Sequence, residues 1–213
     1  RVLFRSLTFD KIDCLNFLSS KGIKVASSIS LLKSEKINVD EIENKIGFPC
    51  FVKASNSGSS FGVFKVYDKE EIIHCINSAL KVDNKVLIES FIDGREFSIG
   101  VISFKGSTKV LPITEIITSN DFFDYEAKYE GKAEEITPAN ITDELKYELN
   151  LLSEKIYNLL ELKGFSRSEF IVNDNGIYYL ETNTVPGLTS ESILPQQAQC
   201  ADRSEEHTSE LQS

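Results

Sequence analysis

The sequence predicts an α+β fold in which helices pack against antiparallel sheets. Strand-like segments meet at turns more often than they alternate with helices, as in residues 47–67 and 165–183. Between residues 145 and 159, leucine and isoleucine recur at alternating spacings of four and three, which is typical of an amphipathic helix. Hairpins that outnumber βαβ crossovers indicate antiparallel sheets with segregated helices rather than a parallel sheet.

The first part of the chain is expected to form a helix, a hairpin and a second helix. Residues 9–22 carry apolar side chains at helical spacing and end on a glycine, which suits the position after a helix. GFPCFVK (47–53) and FGVFKVY (61–67) are rich in β-prone residues and flank a small polar loop, so they predict a hairpin. Asp68 begins a capping signal for a helix that runs to about Leu80.

The second part is expected to contain more strands and one long helix. Segments 86–90 and 95–104 are separated by an Asp-Gly turn, and KVLPITEII (109–117) predicts a further single strand. Residues 119–135 are expected to form a polar, aromatic loop that is long for a connector and is typical of a lid, with a mobile surface loop as the alternative. After the helix, residues 165–183 predict another hairpin.

Composition and charge exclude several functional classes. The chain has 213 residues, 41% hydrophobic and 26% charged, as in a soluble globular protein. Its net charge of −10 argues against a nucleic-acid surface, and no apolar run reaches the ~18 residues of a membrane helix. No signal peptide is visible, and the four cysteines lack CxxC spacing. These features predict a cytoplasmic protein with reduced thiols.

The two ends of the chain are expected to be non-native. RSEEHTSELQS (203–213) can be encoded by an oligonucleotide whose reverse complement encodes RVLFRS (1–6). Such inverted ends resemble translated sequencing-library adapter, so residues 1–6 and 203–213 are set aside from the fold. This predicts that the chain is a fragment of a longer protein.

The hairpin 165–183 carries the strongest chemical signal. If residues 174–176 form a three-residue loop, Glu169 lies opposite Glu181 and Arg167 lies opposite Asn183, all on one face. A two-residue turn would shift the register by one residue and place Glu169 on the other face. Asn-Gly also suits a two-residue turn, so the sequence leaves both registers open.

In the first register, the two opposed carboxylates need a cation between them. Mg²⁺ prefers carboxylate and carbonyl oxygens, often together with substrate phosphates. The set Glu169, Glu181 and Asn183 therefore predicts a magnesium site, and a solvated surface hairpin is the alternative.

Two weaker signals lie elsewhere. The loop 53–62 consists of small residues whose backbone N–H groups can approach an anion, and Lys53 at its start can reach a phosphate. Glu89 and Glu96 flank a turn and could accept hydrogen bonds from a nucleotide. An ordinary loop and solvated turn charges are the alternatives.

Together these segments resemble the D-alanine–D-alanine ligases of the ATP-grasp superfamily. The resemblance runs from residue 9 to about residue 195. The matching segments are FVKASNSGSSFG, VLIESFIDGREFSIGV, SNDFFDYEAKY, GFSRSEF and YLETNTVPGLTSES.

The resemblance implies two α+β subdomains with antiparallel sheets that clasp ATP, with limits at residues 7–89 and 90–202. It implies that Lys11, Lys53 and Lys128 contact phosphate, and that Glu89 and Glu96 face the adenine and the ribose. The cofactors implied are ATP and two Mg²⁺, which Mn²⁺ can replace. The metal ligands implied are Glu169, Glu181 and Asn183.

The resemblance also implies the reaction and the groups that carry it. The carboxylate of one D-alanine is phosphorylated, and the amine of a second D-alanine attacks the acyl phosphate to give the dipeptide for peptidoglycan. Arg167 and the N–H of Gly187 would stabilise the tetrahedral intermediate. The residues implied to orient the second D-alanine are Ser59, Tyr129 and Ser192.

Three departures qualify this expectation. Glu169 stands where the family usually has aspartate, Ala54 replaces a usual proline, and the family's N-terminal domain, which anchors the first D-alanine, is absent. The alternatives are a ligase that joins D-alanine to D-lactate or D-serine, and a nucleotide-binding fragment without catalysis. The resemblance also allows a homodimer of the full-length protein.

Overall fold

The structure is a computed structural model that describes residues 7–58, 61–104, 106–118 and 133–201. The described residues form two compact units. The first unit comprises Phe9–Asp93, and the second comprises the described residues of 1–8, 94–119 and 133–213. The last strand of the first unit ends at Ser90, past the predicted limit at residue 89.

The first unit has a four-stranded antiparallel sheet in the order β1-β4-β2-β3. Its strands are β1 (Ser28–Leu32), β2 (Cys50–Ala54), β3 (Val63–Val66) and β4 (Lys85–Ser90). Its helices are α1 (Lys11–Ser20), α2 (Val39–Lys45) and α3 (Lys69–Ala79).

The core of the first unit lies between this sheet and its helices. Along β2, Cys50, Val52 and Ala54 are buried while the residues between them are half-buried, as the two-residue period of a strand requires. Ile72 and Ile76, four residues apart on α3, are fully buried in the same cluster. Burial, followed by the neighbouring thiol of Cys75, raises the pKa of Cys50 to about 11, so this thiol is a packing group.

The predicted helix boundaries of the first unit are confirmed by their caps. Asp68 is the N-cap of α3, where its side chain accepts from the N–H groups of Glu70 and Glu71. Gly22 follows α1 with φ +77°, the left-handed conformation that ends many helices. The sequence pattern predicted neither β1 nor α2.

The second unit has a six-stranded antiparallel sheet in the order β10-β9-β5-β7-β8, with β6 also paired to β5. Its strands are β5 (Arg95–Phe104), β6 (Ser107–Val110), β7 (Thr114–Thr118), β8 (Ala133–Ile136), β9 (Phe165–Asn173) and β10 (Gly176–Asn183). Its helices are α4 (Asp143–Leu159) and α5 (Ile193–Cys200).

Two predictions for the second unit are wrong in detail. The segment 109–117 is not one strand, because β6 ends at Val110 and β7 begins at Thr114. Pro112 lies in the break and has no N–H with which to continue a ladder. In addition, β8 occupies the end of the predicted loop 119–135 and pairs with β7. The rest of that loop lies outside the described residues.

One face of the second sheet is packed against helix α4. Phe97, Phe170 and Tyr179 are buried there, and the rings of Phe170 and Tyr179 meet edge to face with centroids 6.1 Å apart. Leu149 and Ile156 of α4 are fully buried. Within the described part of the chain, no helix has the length and apolar character that a membrane span would need.

Candidate functional site

In the first unit, the structure joins two of the predicted nucleotide contacts in one ion pair. Lys53 Nζ lies 2.6 Å from Glu89 Oε2, and Glu89 is only 5% exposed. The register of β2 and β4 sets Phe51 opposite Glu89 and Lys53 opposite Leu87, so the two charged residues are diagonal neighbours on one face. The ammonium group also lies 5.3 Å from the centroid of the Phe51 ring. Lys53 is therefore held in a defined position.

Lys11 lies beside the small-residue segment that follows β2. Its Nζ donates to the carbonyl oxygen of Ser57, and its backbone N–H donates to the carbonyl oxygen of Ser55 at 3.2 Å. Asn56 is held by Asp83, which accepts from both its backbone N–H and its side-chain amide. Residues 55–57 are thus fixed on two sides, while the predicted Ser59 lies outside the described residues.

A buried polar network that the sequence pattern did not predict supports this segment. Asp10, the N-cap of α1, accepts from Ser55 Oγ at 2.7 Å and pairs with Lys85 Nζ at 3.1 Å. Burial raises the pKa of Asp10, but the bonds from Ser55, from the N–H of Asp13 and from Lys85 outweigh this, and its pKa lies below the ordinary value. The sequence pattern predicted a helix over residues 9–22 but no role for Asp10, because the partners of its side chain lie more than 40 residues away along the chain.

In the second unit, the hairpin of β9 and β10 has the predicted pairs but not the predicted loop. Glu169 lies opposite Glu181, and Arg167 lies opposite Asn183, which confirms the register at the far end of the strands. Near the turn, however, Gly176 pairs with Asn173, so the turn has two residues rather than three.

A β-bulge reconciles these two observations. The register changes by one residue between Tyr179 and Glu181, where Leu180 is the extra residue. Because of the bulge, Tyr179 and Thr182 both face the interior, and the Tyr179 hydroxyl donates to Thr182 Oγ1 at 3.0 Å. Thr182 Oγ1 also lies 2.7 Å from Ser168 Oγ. The buried hydroxyls fix one face, which leaves the charged residues on the other.

The charged face carries an ion pair and an opposed carboxylate. Arg167 Nη2 lies 2.8 Å from Glu169 Oε1, and both side chains are largely buried. Arg167 Nε is buried and has no hydrogen-bond partner among the described residues. Asn183 accepts from the N–H of Val185 at 2.9 Å, which turns the chain out of the strand.

Two further glutamates lie on this face. On β5, Ser98 lies opposite Glu169, and Glu96 is two residues from Ser98, so it shares the face of Glu169. The strand partners of Glu96 are Ile171 and Ile116. Glu135 lies opposite Ile116 on β8. Burial raises the pKa of Glu135, and the charge of Arg167 opposes that effect. Glu135 was missed because the sequence pattern assigned it to a loop.

The donor set suits a hard cation that is completed by a substrate. Across the described ranges, no group of three or more histidine, cysteine, aspartate and glutamate side chains converges as a metal site. The candidate ligands are instead two opposed carboxylates and one amide, and a cation at this position would relieve the repulsion between Glu169 and Glu181.

Gly187 and Ser192 lie close together after the hairpin. A Cβ on Gly187 would lie 2.6 Å from Ser192 Oγ, so a larger residue at 187 would force the Ser192 hydroxyl to move. Ser192 is the N-cap of α5, and its Oγ lies 2.9 Å from Thr189 Oγ1. The remaining predicted residues, Lys128 and Tyr129, lie outside the described residues.

Comparisons with known proteins identify the family of the chain. Residues 17–204 match the family described as "D-ala D-ala ligase C-terminus". The D-alanine–D-alanine ligase of Flavobacterium johnsoniae is 56% identical over 196 residues, which cover 92% of this chain and 61% of that protein. The ligase of Christiangramia forsetii is 50% identical, with 92% and 60% covered.

Two solved structures share the fold. The VanG D-Ala:D-Ser ligase of Enterococcus faecalis is 32% identical with a TM-score of 0.82, over 93% of this chain and 59% of that one. The D-alanine–D-alanine ligase of Bacillus anthracis in complex with ATP is also 32% identical, with a TM-score of 0.80 and coverages of 94% and 62%. The chain thus spans about 60% of the length of the relatives it matches. From the family match and these identities, the chain belongs to the D-alanine–D-alanine ligase C-terminal family.

Proposed function

We propose that this chain supplies the nucleotide and metal contacts of an ATP-dependent ligase that joins two D-alanines for peptidoglycan synthesis. The observation that carries the proposal is the set of Arg167, Glu169, Glu181 and Asn183, which two strands bring together on one sheet face. The family membership and the names of the relatives support it. So does the similarity to the Bacillus anthracis ligase, whose structure was solved in complex with ATP.

Each unit contributes different chemistry. In the first unit, Lys53 and Lys11 would bind phosphate oxygens as point charges, and Glu89 would position the Lys53 ammonium while accepting from the adenine. In the second unit, Glu96 would accept from the ribose, and Lys128 would contact phosphate.

The metal contacts would come from Glu169, Glu181 and Asn183, with Mg²⁺ or Mn²⁺ as the ion. When bound, the ion supplies charge neutralisation for phosphoryl transfer. Glu169 in place of aspartate keeps the carboxylate on a longer side chain. Its ion pair with Arg167 holds that side chain in a fixed direction.

The ligation itself needs an electrophile and a stabilised oxyanion. A carboxylate is a poor electrophile, so transfer of the γ-phosphoryl group of ATP to the first D-alanine converts one oxygen into part of a leaving group. The amine of the second D-alanine then attacks the carbonyl carbon, and phosphate leaves. Arg167 and the N–H of Gly187 would donate to the developing oxyanion, and Ser59, Tyr129 and Ser192 would orient the amine.

The experiment is a product assay with several acceptors. The chain is joined to the part of the Flavobacterium johnsoniae ligase that it does not cover. This protein is incubated with ATP, Mg²⁺ and D-alanine, with D-alanine plus D-serine, or with D-alanine plus D-lactate, and the products are identified by mass spectrometry. We expect the D-alanine dipeptide with phosphate release. If the main product contained D-serine or D-lactate, the protein would be a ligase with that second substrate instead. If ATP bound but no product formed, the protein would be a nucleotide-binding module without catalysis.

The metal contact has its own test. Glu181→Gln keeps the size of the side chain and removes its charge, so we expect the Mg²⁺-dependent part of the ATP affinity to fall about tenfold or more in calorimetry. Glu148→Gln, at an exposed position of α4, is the matched control. If the ATP affinities of the two variants depended equally on Mg²⁺, Glu181 would not be a metal ligand.

A further inference from the structure

The second sheet has a gap beside β5. On this edge, β5 pairs with β7 over Glu96–Ser98 and with β6 over Val101–Phe104, and the two neighbours diverge between these ranges. The gap lies at Ile99 and Gly100, two buried residues in the middle of β5. A break of this kind leaves backbone groups that need partners, because buried N–H and C=O groups are nearly always paired.

The side-chain amide of Gln197 occupies the gap. The N–H of Gly100 donates to Gln197 Oε1 at 3.0 Å, and Gln197 Nε2 donates to the carbonyl oxygen of Ser98 at 2.8 Å. Nε2 also donates to Thr114 Oγ1 at 3.0 Å. A backbone N–H can only donate and a backbone carbonyl can only accept, so these partners fix the orientation of the amide. Gln197 thereby replaces a peptide group of a neighbouring strand.

Close packing at Gly100 makes this contact possible. A Cβ on Gly100 would lie 2.6 Å from Gln197 Oε1 and 2.5 Å from Leu194 Cδ1. Gln197 has no solvent exposure, and Leu194 is 2% exposed. Helix α5 therefore lies directly on the backbone of β5, and its direction is set by hydrogen bonds as well as by apolar packing.

The other end of α5 carries Ser192. This N-cap residue donates its N–H to the carbonyl oxygen of Thr189 at 2.9 Å, and its Oγ lies where a side chain on Gly187 would clash. Since a helix is stiff over so short a distance, a shift of α5 at Gln197 would move Ser192 relative to Gly187.

We propose that Gln197 is a positioning residue that sets the approach of Ser192 to Gly187 by completing the sheet at Gly100. Its consequence for D-alanine rests on the proposed function, in which Ser192 and Gly187 contact the substrates. The structural part of the proposal needs no substrate and can be tested alone.

The experiment uses three variants and amide hydrogen exchange with ¹H–¹⁵N spectra of the whole chain. Gln197→Leu removes both hydrogen-bonding groups at similar size. Gln197→Glu is reversible with pH, because a neutral carboxylic acid can accept from Gly100 and donate to Ser98, while the buried carboxylate cannot donate. Gln199→Leu, at an exposed glutamine of the same helix, is the matched control.

At pH 8 we expect the Ser192 amide to exchange about tenfold faster than in the wild type in Gln197→Leu and Gln197→Glu, with shifted Gly187 and Ser192 resonances. At pH 5, compared with the wild type at that pH, Gln197→Glu should return to wild-type exchange and shifts, and Gln197→Leu should not. Gln199→Leu should match the wild type throughout.

Two outcomes would overturn the proposal. One is that the Ser192 amide of Gln197→Leu exchanges at the wild-type rate. The other is an equal acceleration of Ser192 and of core amides such as Phe170 without pH rescue in Gln197→Glu, which would assign Gln197 to general stability. In an active ligase, the same variants should raise the KM for D-alanine more than they lower the affinity for ATP. If the protein proves inactive, the exchange result still decides the role of Gln197.

Discussion

Lys53 and Glu89 show what local pattern can reveal about a single residue. The sequence indicated each of them as a separate nucleotide contact, and the structure joins them at 2.6 Å. Their contact depends on the register between β2 and β4, which lie 30 or more residues apart along the chain. Local pattern does not report such a register, so the residues were predictable and their pairing was not.

This pair leads to a prediction for ATP binding. Lys53→Ala removes the ammonium and leaves the buried Glu89 carboxylate without that partner, so we expect ATP binding to weaken by about 1.5–3 kcal/mol in calorimetry. The control is Lys36→Ala at an exposed position, because Lys85 is not a neutral comparison: it opens β4 and pairs with Asp10. Equal ATP affinities for Lys53→Ala and Lys36→Ala would exclude Lys53 from phosphate binding.

Asp10 gives a second prediction at this scale, for stability against pH. Its pKa is lowered in the folded state, so its contribution to stability is fully present above the unfolded pKa and is lost as the pH falls through the folded pKa. We expect Asp10→Asn to lower the free energy of unfolding at pH 6, and the difference from the wild type to shrink as the pH falls below about 3.9. Urea unfolding measures this.

The matched control for Asp10 is Asp40→Asn in the exposed first turn of α2. We expect that variant to show a smaller stability loss at pH 6. A pH-independent loss in Asp10→Asn would contradict the role given to its charge, because a purely steric effect does not titrate.

At the scale of elements, helix ends were more predictable than strand register. The caps at Asp68 and Gly22 are local signals, and the structure confirms both. The hairpin of β9 and β10 shows the opposite case. A three-residue loop gave the correct pairs for Glu169 and Glu181, although the chain reaches them through a two-residue turn and a bulge. Bulges respond to packing on the buried face, which the turn residues do not encode.

The contact between β5 and α5 gives a prediction for an element. Gly100→Ala places a methyl group 2.5 Å from Leu194 Cδ1 and 2.6 Å from Gln197 Oε1. We expect a loss of about 1–3 kcal/mol in the free energy of unfolding, measured with urea, because a packed interface must shift to accept the group. Gly58→Ala, where nothing lies within 4 Å of the added carbon, is the control. Similar stabilities for the two variants would mean that α5 moves away at little cost.

At the scale of the whole molecule, the order and spacing of the motifs were sufficient to indicate the family by resemblance, and the family match over residues 17–204 confirms it. The assignment of residues to roles does not follow from that match. Glu135 and Gln197 illustrate the reason, because their surroundings are assembled by strand pairing and helix packing rather than by neighbours in sequence.

The length of the relatives supports a prediction for the whole protein. The chain covers 61% of the Flavobacterium johnsoniae ligase, so we expect the chain alone to bind Mg-ATP and to form little dipeptide. Joining it to the remainder of that ligase should raise D-alanine-dependent phosphate release by orders of magnitude. Positioning of reacting groups can contribute about 7–11 kcal/mol to lowering a barrier. Comparable rates with and without the added part would show that the chain holds the first D-alanine by itself.

Two different backbone arrangements of this hairpin, one with the bulge at Leu180 and one without it, would place the same charged residues opposite one another. A three-residue loop without a bulge would also bring Glu181 opposite Glu169, but it would set Leu180 rather than Tyr179 opposite Phe170. The choice between the two is made by the buried ring of Tyr179 and by its hydroxyl contact with Thr182. Exchanging the side chains at 179 and 180 should therefore let the strand slip by one residue near the turn, while the acidic end stays in place. The register near the turn can thus change by one residue while the charged residues stay on one face.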